Sequence, residues 1–358
     1  MKNVLITGGA GFIGSNFIHR MTRQRPDLNL VNLDVLTYAG NPENLASLIG
    51  RQGYHFIQGD IGDAELVESI LSQYKIDTVV NFAAETHVDR SILGPMQFLQ
   101  TNVVGTGVLL DAVRKFWLGK DPAQFRFHHI STDEVFGSLE PGAAPFCETT
   151  QYSPNSPYSA SKAASDHLVR AYGHTYGLPV TISNCTNNYG PYQFPEKLIP
   201  LMIMNCLNGK PLPVYGDGRQ IRDWLYVEDH CEAIQLILEK GKVGETYLIG
   251  GENQPTNLEI IHQITAILDE LRPDSLYKPH ANLIQFVQDR PGHDRRYAME
   301  ISRMRGELGW EPKHDLASGL RETVQWYLDN QDWVEHLTQK ESFNAWMKHN
   351  YASRGGAK

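Results

Sequence analysis

Short runs of apolar residues alternate with longer amphipathic stretches through the first half of this chain. The apolar runs have the length and β-branched content of buried strands, and they are NVLIT (3–7), LNLVNLD (28–34), YHFIQGD (54–60), TVVNFAA (78–84), FRFHHIS (125–131) and LPVTISN (178–184). Helical patterns lie between them, at Phe12–Arg23, Ala64–Gln73 and Gln97–Trp117. Near-continuously apolar strands followed by helices predict an α/β fold with a doubly wound parallel sheet, covered on both faces.

The pattern changes at about Asn187, where the chain becomes rich in Pro, Gly and Tyr. The segments NNYGPYQFPEKLIP and GKPLPVYGDG indicate loops that wrap around a ligand. Helical and strand-like pieces follow at His230–Glu239, Glu245–Ile249 and Leu258–Leu271, and the chain closes with a short polar tail, SRGGAK. We therefore predict a first domain over residues 1–186 and a smaller, mixed α/β, substrate-facing domain over 187–358, with some of the chain crossing back.

The composition excludes several classes of protein. At 358 residues the chain can hold one large α/β unit or two joined domains, and its net charge of −9 argues against a protein that coats nucleic acid. No apolar run approaches the length that spans a membrane, and MKNVLITGGAGFIG begins as a strand rather than as a signal peptide. The cysteines are far apart and form no CxxC pair, which favours a reducing compartment without disulfides or a metal site; they are Cys147, Cys185, Cys206 and Cys231. We expect a cytoplasmic protein with no nucleic-acid or membrane partner.

The turn after the first strand, TGGAGFIG, is rich in glycine. Gly9, Gly11 and Gly14 satisfy G-x-G-x-x-G, and Gly8, Gly11 and Gly14 satisfy the related G-x-x-G-x-x-G. Positions without a side chain let the backbone approach a pyrophosphate, and the helix that follows directs its first N–H groups at that charge. A tight strand–helix turn alone would also explain the glycines, but their place after the first strand and before a helix favours a dinucleotide site.

The second strand ends at Asp34, 20 residues after Gly14. An acidic residue at this point binds the ribose hydroxyls of the adenosine half and repels a 2′-phosphate, which predicts NAD rather than NADP. Asp60 closes the third strand at the same edge of the sheet, where it can meet the adenine.

A tyrosine and a lysine stand four residues apart in SPYSASKAASDHL. Pro154 and Pro157 mark the start of a helix, on which Tyr158 and Lys162 would share one face. A phenol is a poor base at neutral pH, but a nearby ammonium together with a bound nicotinamide cation lowers its pKa. Such a pair is often only an amphipathic helix face; after a dinucleotide loop it predicts a base for the oxidation of a sugar or alcohol hydroxyl, with Lys162 also holding the nicotinamide ribose.

Thr132, Asp133 and Glu134 follow a strand-like run that ends near Ile130. Ligands of a doubly wound sheet bind beyond the carboxyl ends of its strands, so these side chains should share a crevice with Tyr158. Helix capping or a solvated loop would explain an isolated S-T-D-E. Here the pair suits a redox-neutral elimination, in which oxidation of a sugar hydroxyl makes the neighbouring C–H acidic, Glu134 removes that proton and a protonated Asp133 protonates the leaving hydroxyl. Mutual repulsion favours opposite protonation states in the two carboxyls.

The chain resembles the dTDP-glucose 4,6-dehydratases, which are extended short-chain dehydrogenase/reductases, in motifs that run in order along nearly its whole length: GGAGFIGS, AAETHVDRS, STDEVFG, YSASKAASDHLVRAY, NNYGPYQFPEKLIPL, QIRDWLYVEDH and DRPGHDRRY. The resemblance implies a Rossmann-like fold with a small C-terminal nucleotide-sugar-binding domain, a tightly held NAD and a homodimer. The implied reaction is the hydro-lyase conversion of dTDP-glucose to dTDP-4-keto-6-deoxyglucose, an early step towards rhamnose and other deoxysugars.

The resemblance also implies residue roles. The catalytic set comprises Thr132 at O4, Asp133 as the acid at the C6 hydroxyl, Glu134 as the base at C5, and Tyr158 with its partner Lys162 for the oxidation at C4. The residues predicted at NAD, from the glycine motif and the resemblance, are Gly8, Gly11, Phe12, Ile13, Gly14, Asp34, Thr37, Asp60, Ile61, Ala83, Ala84, Thr101, Tyr158, Lys162 and Asn188. Those predicted at the nucleotide sugar are Thr86, Thr132, Asn187, Lys197, Leu198, Pro213, Tyr215, Arg222, Asn257, Asp289, Arg290 and His293, among which the arginines suit a diphosphate.

Three alternatives remain. A nucleotide-sugar 4-epimerase would use Thr132, Tyr158 and Lys162 with NAD but would not need the two carboxylates. A UDP-glucose 4,6-dehydratase would use all five residues, and a catalytically silent NAD-sensing protein would need none of them. The sequence departs from the family at Phe136, where Tyr is usual, and at Gly137–Cys147, which is shorter than in many relatives.

Overall fold

A computed structural model describes residues 1–352, and within them a seven-stranded parallel sheet forms the centre of the molecule. The strands along the chain are β1 Asn3–Thr7, β2 Asn29–Asp34, β3 Tyr54–Gln58, β4 Thr78–Asn81, β5 Arg126–Thr132, β6 Val180–Cys185, β7 Asn187–Tyr189, β8 Leu212–Tyr215, β9 Trp224–Tyr226, β10 Thr246–Ile249 and β11 Ile284–Val287. The central sheet has the order β10-β6-β5-β4-β1-β2-β3, while β11 pairs with β8 and β7 with β9. The strand order reverses between β1 and β4, which places a crevice beyond the carboxyl ends of these two strands.

Some of the helices cover both faces of this sheet, and others pack together in the C-terminal half of the chain. They are α1 Phe12–Gln24, α2 Ala64–Gln73, α3 Val88–Leu93, α4 Pro95–Phe98, α5 Thr106–Trp117, α6 Pro157–Tyr176, α7 Leu198–Leu207, α8 Val227–Lys240, α9 Asn257–Leu271, α10 Ser302–Leu308, α11 Leu316–Asp329, α12 Gln331–Thr338 and α13 Glu341–Ala352. A π-helical segment, Leu99–Gly105, joins α4 to α5. Of the helices in residues 1–352, none is long and apolar enough to cross a bilayer.

The central strands are buried on both sides, as their unbroken apolar sequences predict. In β1, Val4 and Ile6 pack with α1 and α8 on one face, whereas Leu5 packs with α2 and α5 on the other. Alternate side chains of a strand point to opposite faces, so a strand covered by helices on both sides is apolar throughout. The Rossmann-like parallel sheet predicted from the sequence is confirmed.

The second half of the chain contributes to two regions. β10 joins the edge of the central sheet beside β6, and α8 packs against α1. A separate apolar core forms around α7, α9 and α11, with buried residues that include Ile203, Ile264 and Leu320. The boundary between two domains at residue 186 stays a prediction, and the polar tail at residues 353–358 lies outside the described residues.

Candidate active site

Two adjoining cavities open at the carboxyl edge of the central sheet. The larger, of about 570 Å³, is lined by the β1–α1 turn, by the ends of β2, β4, β5 and β6, and by α6. The smaller, of about 180 Å³, lies towards the C-terminal half of the chain. The two cavities share Thr86, Glu134, Asn187, Glu196 and Lys197, so one ligand can extend from one into the other. Every residue predicted at NAD lines the larger cavity.

The β1–α1 turn is built for close backbone contact. Gly8 has φ +68°, and a Cβ there would lie 2.7 Å from the backbone nitrogen of Ala83. A Cβ on Gly14 would lie 2.5 Å from the carbonyl oxygen of Gly8. Helix α1 follows with Gly11 as its N-cap; no side chain of the described residues caps it, and its first turn holds no acidic residue. Its N–H groups are therefore available to a pyrophosphate, and the turn fits NAD.

Asp34 lies buried at the end of β2, at the edge of the same cavity. One carboxylate oxygen accepts the N–H of Ala10 and the other accepts the N–H of Leu36, both at 2.8 Å. Burial raises the pKa of Asp34, and these two backbone hydrogen bonds act in the opposite direction. Each oxygen keeps a second lone pair, so a fixed acceptor stands where the ribose hydroxyls of NAD are expected.

Helix α6 brings the predicted tyrosine and lysine to the cavity. It begins with a capping box, in which the Ser156 hydroxyl accepts the N–H of Ser159 and the Ser159 hydroxyl accepts the N–H of Ser156. Tyr158 lies in the first turn and Lys162 one turn later, and both line the larger cavity. The Lys162 ammonium donates a hydrogen bond to the carbonyl oxygen of Ile130 at 2.8 Å, which ties α6 to the end of β5.

The charges of the protein do not by themselves activate the phenol. Burial and then the carboxylate of Glu134 raise the pKa of Tyr158 well above its ordinary value, and a hydrogen bond with Thr132 acts against them. Burial lowers the pKa of Lys162 to about 8, while Asp166 and Cys185 raise it. The surroundings of Tyr158 thus favour the protonated phenol, and the lowering of its pKa expected from the sequence depends on the positive charge of a bound, oxidised nicotinamide.

The two carboxyl groups after β5 lie in the same cavity as Tyr158 but in different surroundings. Asp133 is 2% exposed; one of its oxygens accepts the Thr132 hydroxyl at 3.1 Å, and the other has no hydrogen-bond partner among the described residues. Burial and then the charge of Glu134 raise the pKa of Asp133 well above its usual value. Burial also raises the pKa of Glu134, but nearby cations oppose this; they are Arg290, Arg222 and Lys197. The protein thus favours a protonated Asp133 and holds Glu134 closer to its ionised form.

Phe136, the departure from the family pattern, packs behind this pair. Its ring stacks on Phe146 at 5.0 Å and meets the edge of Tyr152 at 5.1 Å. The position is apolar and buried, so a phenylalanine fills it without an unsatisfied hydroxyl.

The smaller cavity carries the cations expected for a diphosphate. Arg222 is 5% exposed and donates to the backbone carbonyls of Ile221 and Asp294, at 2.8 and 2.9 Å. Burial lowers the pKa of Arg222, and the charges of Glu134 and Asp133 act in the opposite direction. Arg290 lies beside the same cavity and pairs with Asp89 at 3.1 Å. A buried guanidinium held by carbonyls is suited to an anionic ligand.

The structure brings together nearly all the residues predicted at the nucleotide sugar. Thr86, Asn187, Lys197, Leu198, Pro213, Tyr215, Arg222, Asn257, Arg290 and His293 line the smaller cavity, and Thr132 lines the larger. Asp289 lines neither: it accepts hydrogen bonds from the side-chain amide of Gln220 at 2.8 Å and from its own neighbour, the N–H of Arg290, at 2.8 Å. Its other contact is with the ring of His293, at 2.6 Å. Asp289 thus lies behind the cavity, where it orients His293.

Glu196, which is not among the residues predicted from the sequence, borders both cavities with a side chain only 1% exposed. One of its oxygens pairs with Arg90 at 2.9 Å, and the Arg90 guanidinium lies between the rings of Tyr38 and Trp346, 3.7 and 4.1 Å from their centres. In the sequence, Glu196 stands next to Lys197, and a Glu–Lys pair in a loop is ordinarily a solvated surface feature. No signal in the sequence alone marks it as buried.

Comparisons with known proteins agree with this geometry. The family model described as GDP-mannose 4,6 dehydratase matches residues 5–323. A dTDP-glucose 4,6-dehydratase of Xanthomonas campestris pv. campestris (strain B100) is 58% identical over 339 residues, which are 94% of this chain and 95% of that protein. The crystal structure of a Bacillus anthracis dTDP-glucose 4,6-dehydratase in complex with NAD is 46% identical, with a TM-score of 0.84 and coverage of 94% of this chain and 100% of that one. A Streptomyces venezuelae dTDP-glucose 4,6-dehydratase, solved with NAD and TYD bound, is 45% identical, with a TM-score of 0.85 and coverage of 94% and 99%. In sequence and in fold, this chain belongs to the dTDP-glucose 4,6-dehydratase family.

Proposed function

We propose that this chain is an NAD-dependent hydro-lyase that converts dTDP-glucose to dTDP-4-keto-6-deoxyglucose. The observation that carries the proposal is the convergence of Asp133, Glu134, Tyr158 and Lys162 on one cavity, whose far end holds the glycine turn and Asp34. A plain dehydrogenase needs the phenol and the cofactor, whereas a second acid–base pair is needed only for an elimination.

The first step is the oxidation of C4 of the hexose. The glycine turn and Asp34 would hold NAD, which would supply the two-electron oxidant for C4 and, once reduced, the hydride for C6. Tyr158, as the phenolate, takes the proton of the C4 hydroxyl, and Thr132 hydrogen-bonds O4 to orient it. The Lys162 ammonium stabilises the phenolate and hydrogen-bonds the nicotinamide ribose.

The second step removes water across C5 and C6. A carbonyl at C4 makes the C5 hydrogen acidic, because the carbanion left behind is delocalised as an enolate. Glu134 removes this proton, and Asp133 delivers its proton to the C6 hydroxyl, which leaves as water. After the reduction at C6, Glu134 returns its proton to C5. Tyr158 releases to solvent the proton taken from the C4 hydroxyl, and Asp133 regains one from solvent, so that the sugar has lost one water with no net oxidation.

The nucleotide end of the substrate belongs in the smaller cavity. Arg222 and Arg290 are the groups for the diphosphate, and Asn257, Leu198 and Tyr215 line the remaining wall. This arrangement directs the hexose towards Glu134, which borders both cavities. Membership of the dTDP-glucose 4,6-dehydratase family supports thymine as the base of the substrate.

Product analysis on a panel of nucleotide sugars tests the proposal. The NAD-loaded protein should convert dTDP-glucose to a 4-keto-6-deoxy product, lighter by one water in mass spectrometry, without added reductant. Recovery of dTDP-galactose would identify an epimerase instead, and faster turnover of UDP-glucose would identify the other dehydratase. A protein that binds NAD and converts none of these sugars would be a sensor, contrary to the proposal.

We also propose a homodimer, as the resemblance implies. Exposed apolar side chains follow one another along α3, α4 and the π-helical segment; they are Ile92, Leu93, Met96, Leu99 and Val104. A second copy of the same face, related by a twofold axis, would cover them, because an isologous contact is self-complementary.

We further infer a cytoplasmic location. The four cysteines are free thiols, and three of them are buried, as expected of a protein made in a reducing compartment.

A further inference from the structure

A buried carboxylate that the proposed mechanism does not use lies on α6, one turn beyond the lysine of the site. Asp166 is 0% exposed. One of its oxygens, Oδ2, accepts hydrogen bonds from the hydroxyls of Ser131 and Tyr152, each at 2.8 Å, and from the side-chain amide of Asn184 at 3.3 Å. The other, Oδ1, has no hydrogen-bond partner among the described residues and lies 3.5 Å from Nε2 of His129. Burial raises the pKa of Asp166, whereas the charge of Lys162 and the hydrogen bonds from Tyr152 and Ser131 act in the opposite direction and favour its ionised form.

The tautomer of His129 follows from the chain of hydrogen bonds behind it. The Thr7 hydroxyl donates to the side-chain oxygen of Asn81 at 2.6 Å, so the amide nitrogen of Asn81 is the atom 3.1 Å from Nδ1 of His129. That nitrogen donates, so Nδ1 accepts and the ring proton is on Nε2. Burial and the charge of Lys162 lower the pKa of His129 well below its ordinary value, which keeps the ring neutral. The Ser165 hydroxyl oxygen, 3.2 Å from Nε2, accepts this N–H and itself donates to the carbonyl oxygen of Lys162 at 2.8 Å. Oδ1 of Asp166 lies slightly further from Nε2, at 3.5 Å.

The Lys162 ammonium lies near the same ring nitrogen, 3.3 Å from Nε2, so Lys162 and Asp166 both flank one edge of this imidazole. Three titratable groups face the ammonium: His129 on β5, Cys185 on β6 and Asp166 on α6 itself. The imidazole is neutral, and burial raises the pKa of the Cys185 thiol to about 12, so Asp166 is the group that can balance the charge of Lys162. Arg170 also faces Asp166, through the Tyr152 hydroxyl, to which it donates at 2.8 Å.

The same carboxylate holds the end of β5. Ser131 donates to it directly, and Asn184, which also donates to it, makes a second hydrogen bond to the carbonyl oxygen of Thr132 at 3.0 Å. One buried group on α6 thus fixes the strand that carries the acid pair against the helix that carries Tyr158.

We propose that Asp166 is a positioning residue of the active site: its negative charge, beside the same imidazole nitrogen as the lysine, keeps Lys162 in the ammonium form, and its hydrogen bonds hold the end of β5 in register with α6. The inference rests on the proposed function, in which the ammonium acts on the phenolate and on the nicotinamide ribose. Asp166 touches neither cavity, so it acts only through these neighbours.

The test is the pH profile of turnover in Asp166→Asn, measured on the full-length, NAD-loaded protein. Wild-type activity should fall at alkaline pH as Lys162 loses its proton. Without the balancing charge, the alkaline limb of the variant should lie about one pH unit below that of the wild type. At a pH above both limbs, kcat of the variant should therefore be about tenfold lower than kcat of the wild type. Calorimetry on protein stripped of cofactor should show that Asp166→Asn binds NAD more weakly than the wild type does over the same pH range.

Two control variants separate charge from structure. Ser131→Ala removes one hydrogen bond to Asp166 but keeps the charge, so its alkaline limb should coincide with that of the wild type. Asp229→Asn neutralises another buried carboxylate, which pairs with His314 at 2.9 Å away from both cavities, and should leave the limb unchanged while lowering the unfolding temperature. Asp166→Ser, which leaves room for a water molecule, is a second neutral variant and should repeat the shift.

An unchanged limb in a folded Asp166→Asn protein would overturn the proposal, as would an equal shift in Ser131→Ala. Failure of both neutral variants to fold, with Asp229→Asn folded, would show that the carboxylate serves the fold instead. These outcomes are distinct from failure of the proposed function, since that would appear as the absence of a 4-keto-6-deoxy product from the wild-type protein.

Discussion

Asp133 and Glu134 are adjacent in the sequence, yet their surroundings differ. Asp133 is the more deeply buried, and one of its oxygens contacts no donor among the described residues. Glu134 faces both cavities and lies within the field of Arg222 and Arg290. The difference assigns acid and base duties without any need for the two side chains to exchange protons.

We expect Glu134→Gln to stop the reaction after the oxidation of C4. An amide cannot remove the C5 proton, whereas Tyr158 and Lys162 are untouched, so formation of the dehydrated product should fall by about a hundredfold or more. The near-ultraviolet absorbance of reduced nicotinamide should accumulate in a single turnover. Normal product formation by this variant would remove Glu134 from the mechanism.

Asp133→Asn is the matched comparison, because it removes the acid and leaves the base. It should also stop before loss of water, but Glu134 can still deprotonate C5, so deuterium from the solvent should enter that position. Exchange in Glu134→Gln but not in Asp133→Asn would mean that the assignment of acid and base is reversed, and equal exchange in both would mean that the base role is shared.

Asp34 should govern the choice between NAD and NADP. Its two oxygens both accept backbone N–H groups, and an amide offers only one acceptor, so Asp34→Asn loses a hydrogen bond as well as a charge. We expect about tenfold weaker binding of NAD, near 1.4 kcal/mol, and a smaller preference over NADP, both measured by calorimetry. Asp63→Asn, which alters an exposed N-cap at the start of α2, is the control and should change neither. An unchanged preference in Asp34→Asn would refute its assigned role.

Residues with a local signature could be predicted, and those whose role depends on burial could not. Tyr158 and Lys162 stand at helical spacing, and Asp166 continues that spacing by another turn. An acidic residue at such a position on a helix would ordinarily be exposed to solvent. Only the packing of α6 against β5 and β6 shows that Asp166 is enclosed. The same holds for Glu196, whose burial depends on Arg90.

At the scale of elements, the strands of the first half were predicted to within two or three residues at each end. Their hydrophobic runs are unbroken because both faces are covered, and this pattern is strong in any sequence window. The segment Gln97–Trp117 is helical as predicted, but α4, a π-helical turn and α5 divide it. The spacing of apolar residues in this segment does not reveal the π-helical turn. The joining of β10 to the central sheet could not be read from the sequence either, because a short apolar strand does not specify its partner.

At the scale of the whole molecule, the site is assembled from segments that are distant in the chain. Asn187 and Lys197 meet Thr86 across more than 100 residues, and Lys197 donates to the carbonyl oxygen of Thr86 at 3.3 Å. The spacing of residues in a sequence predicts neighbours only within one helix or strand. That these residues share one site was therefore predicted from the family resemblance and not from the sequence pattern. The glycine turn and the Tyr–Lys helix could be predicted both from the sequence pattern and from the family resemblance.

The proposed dimer makes the last prediction. Leu93 and Met96 are 59% and 71% exposed on neighbouring helices, and burying them in a twofold contact would remove apolar surface from water in both copies. We expect the paired substitution Leu93→Glu and Met96→Glu to weaken self-association by about a hundredfold or more, because it places like charges on the contact in both subunits. Analytical ultracentrifugation over a range of concentrations measures this.

The control for that experiment is Leu276→Glu, which adds a charge at a residue that is 93% exposed on a loop outside this face. It should sediment as the wild type does. A dimer that survives the paired substitution would place the interface elsewhere, and a wild-type protein that sediments as a monomer would contradict the homodimer itself. The face lies on α3 and α4, which precede the π-helical segment that carries the cavity residue Thr101. A dimer contact would hold this segment in place, so a monomeric variant should also bind NAD more weakly.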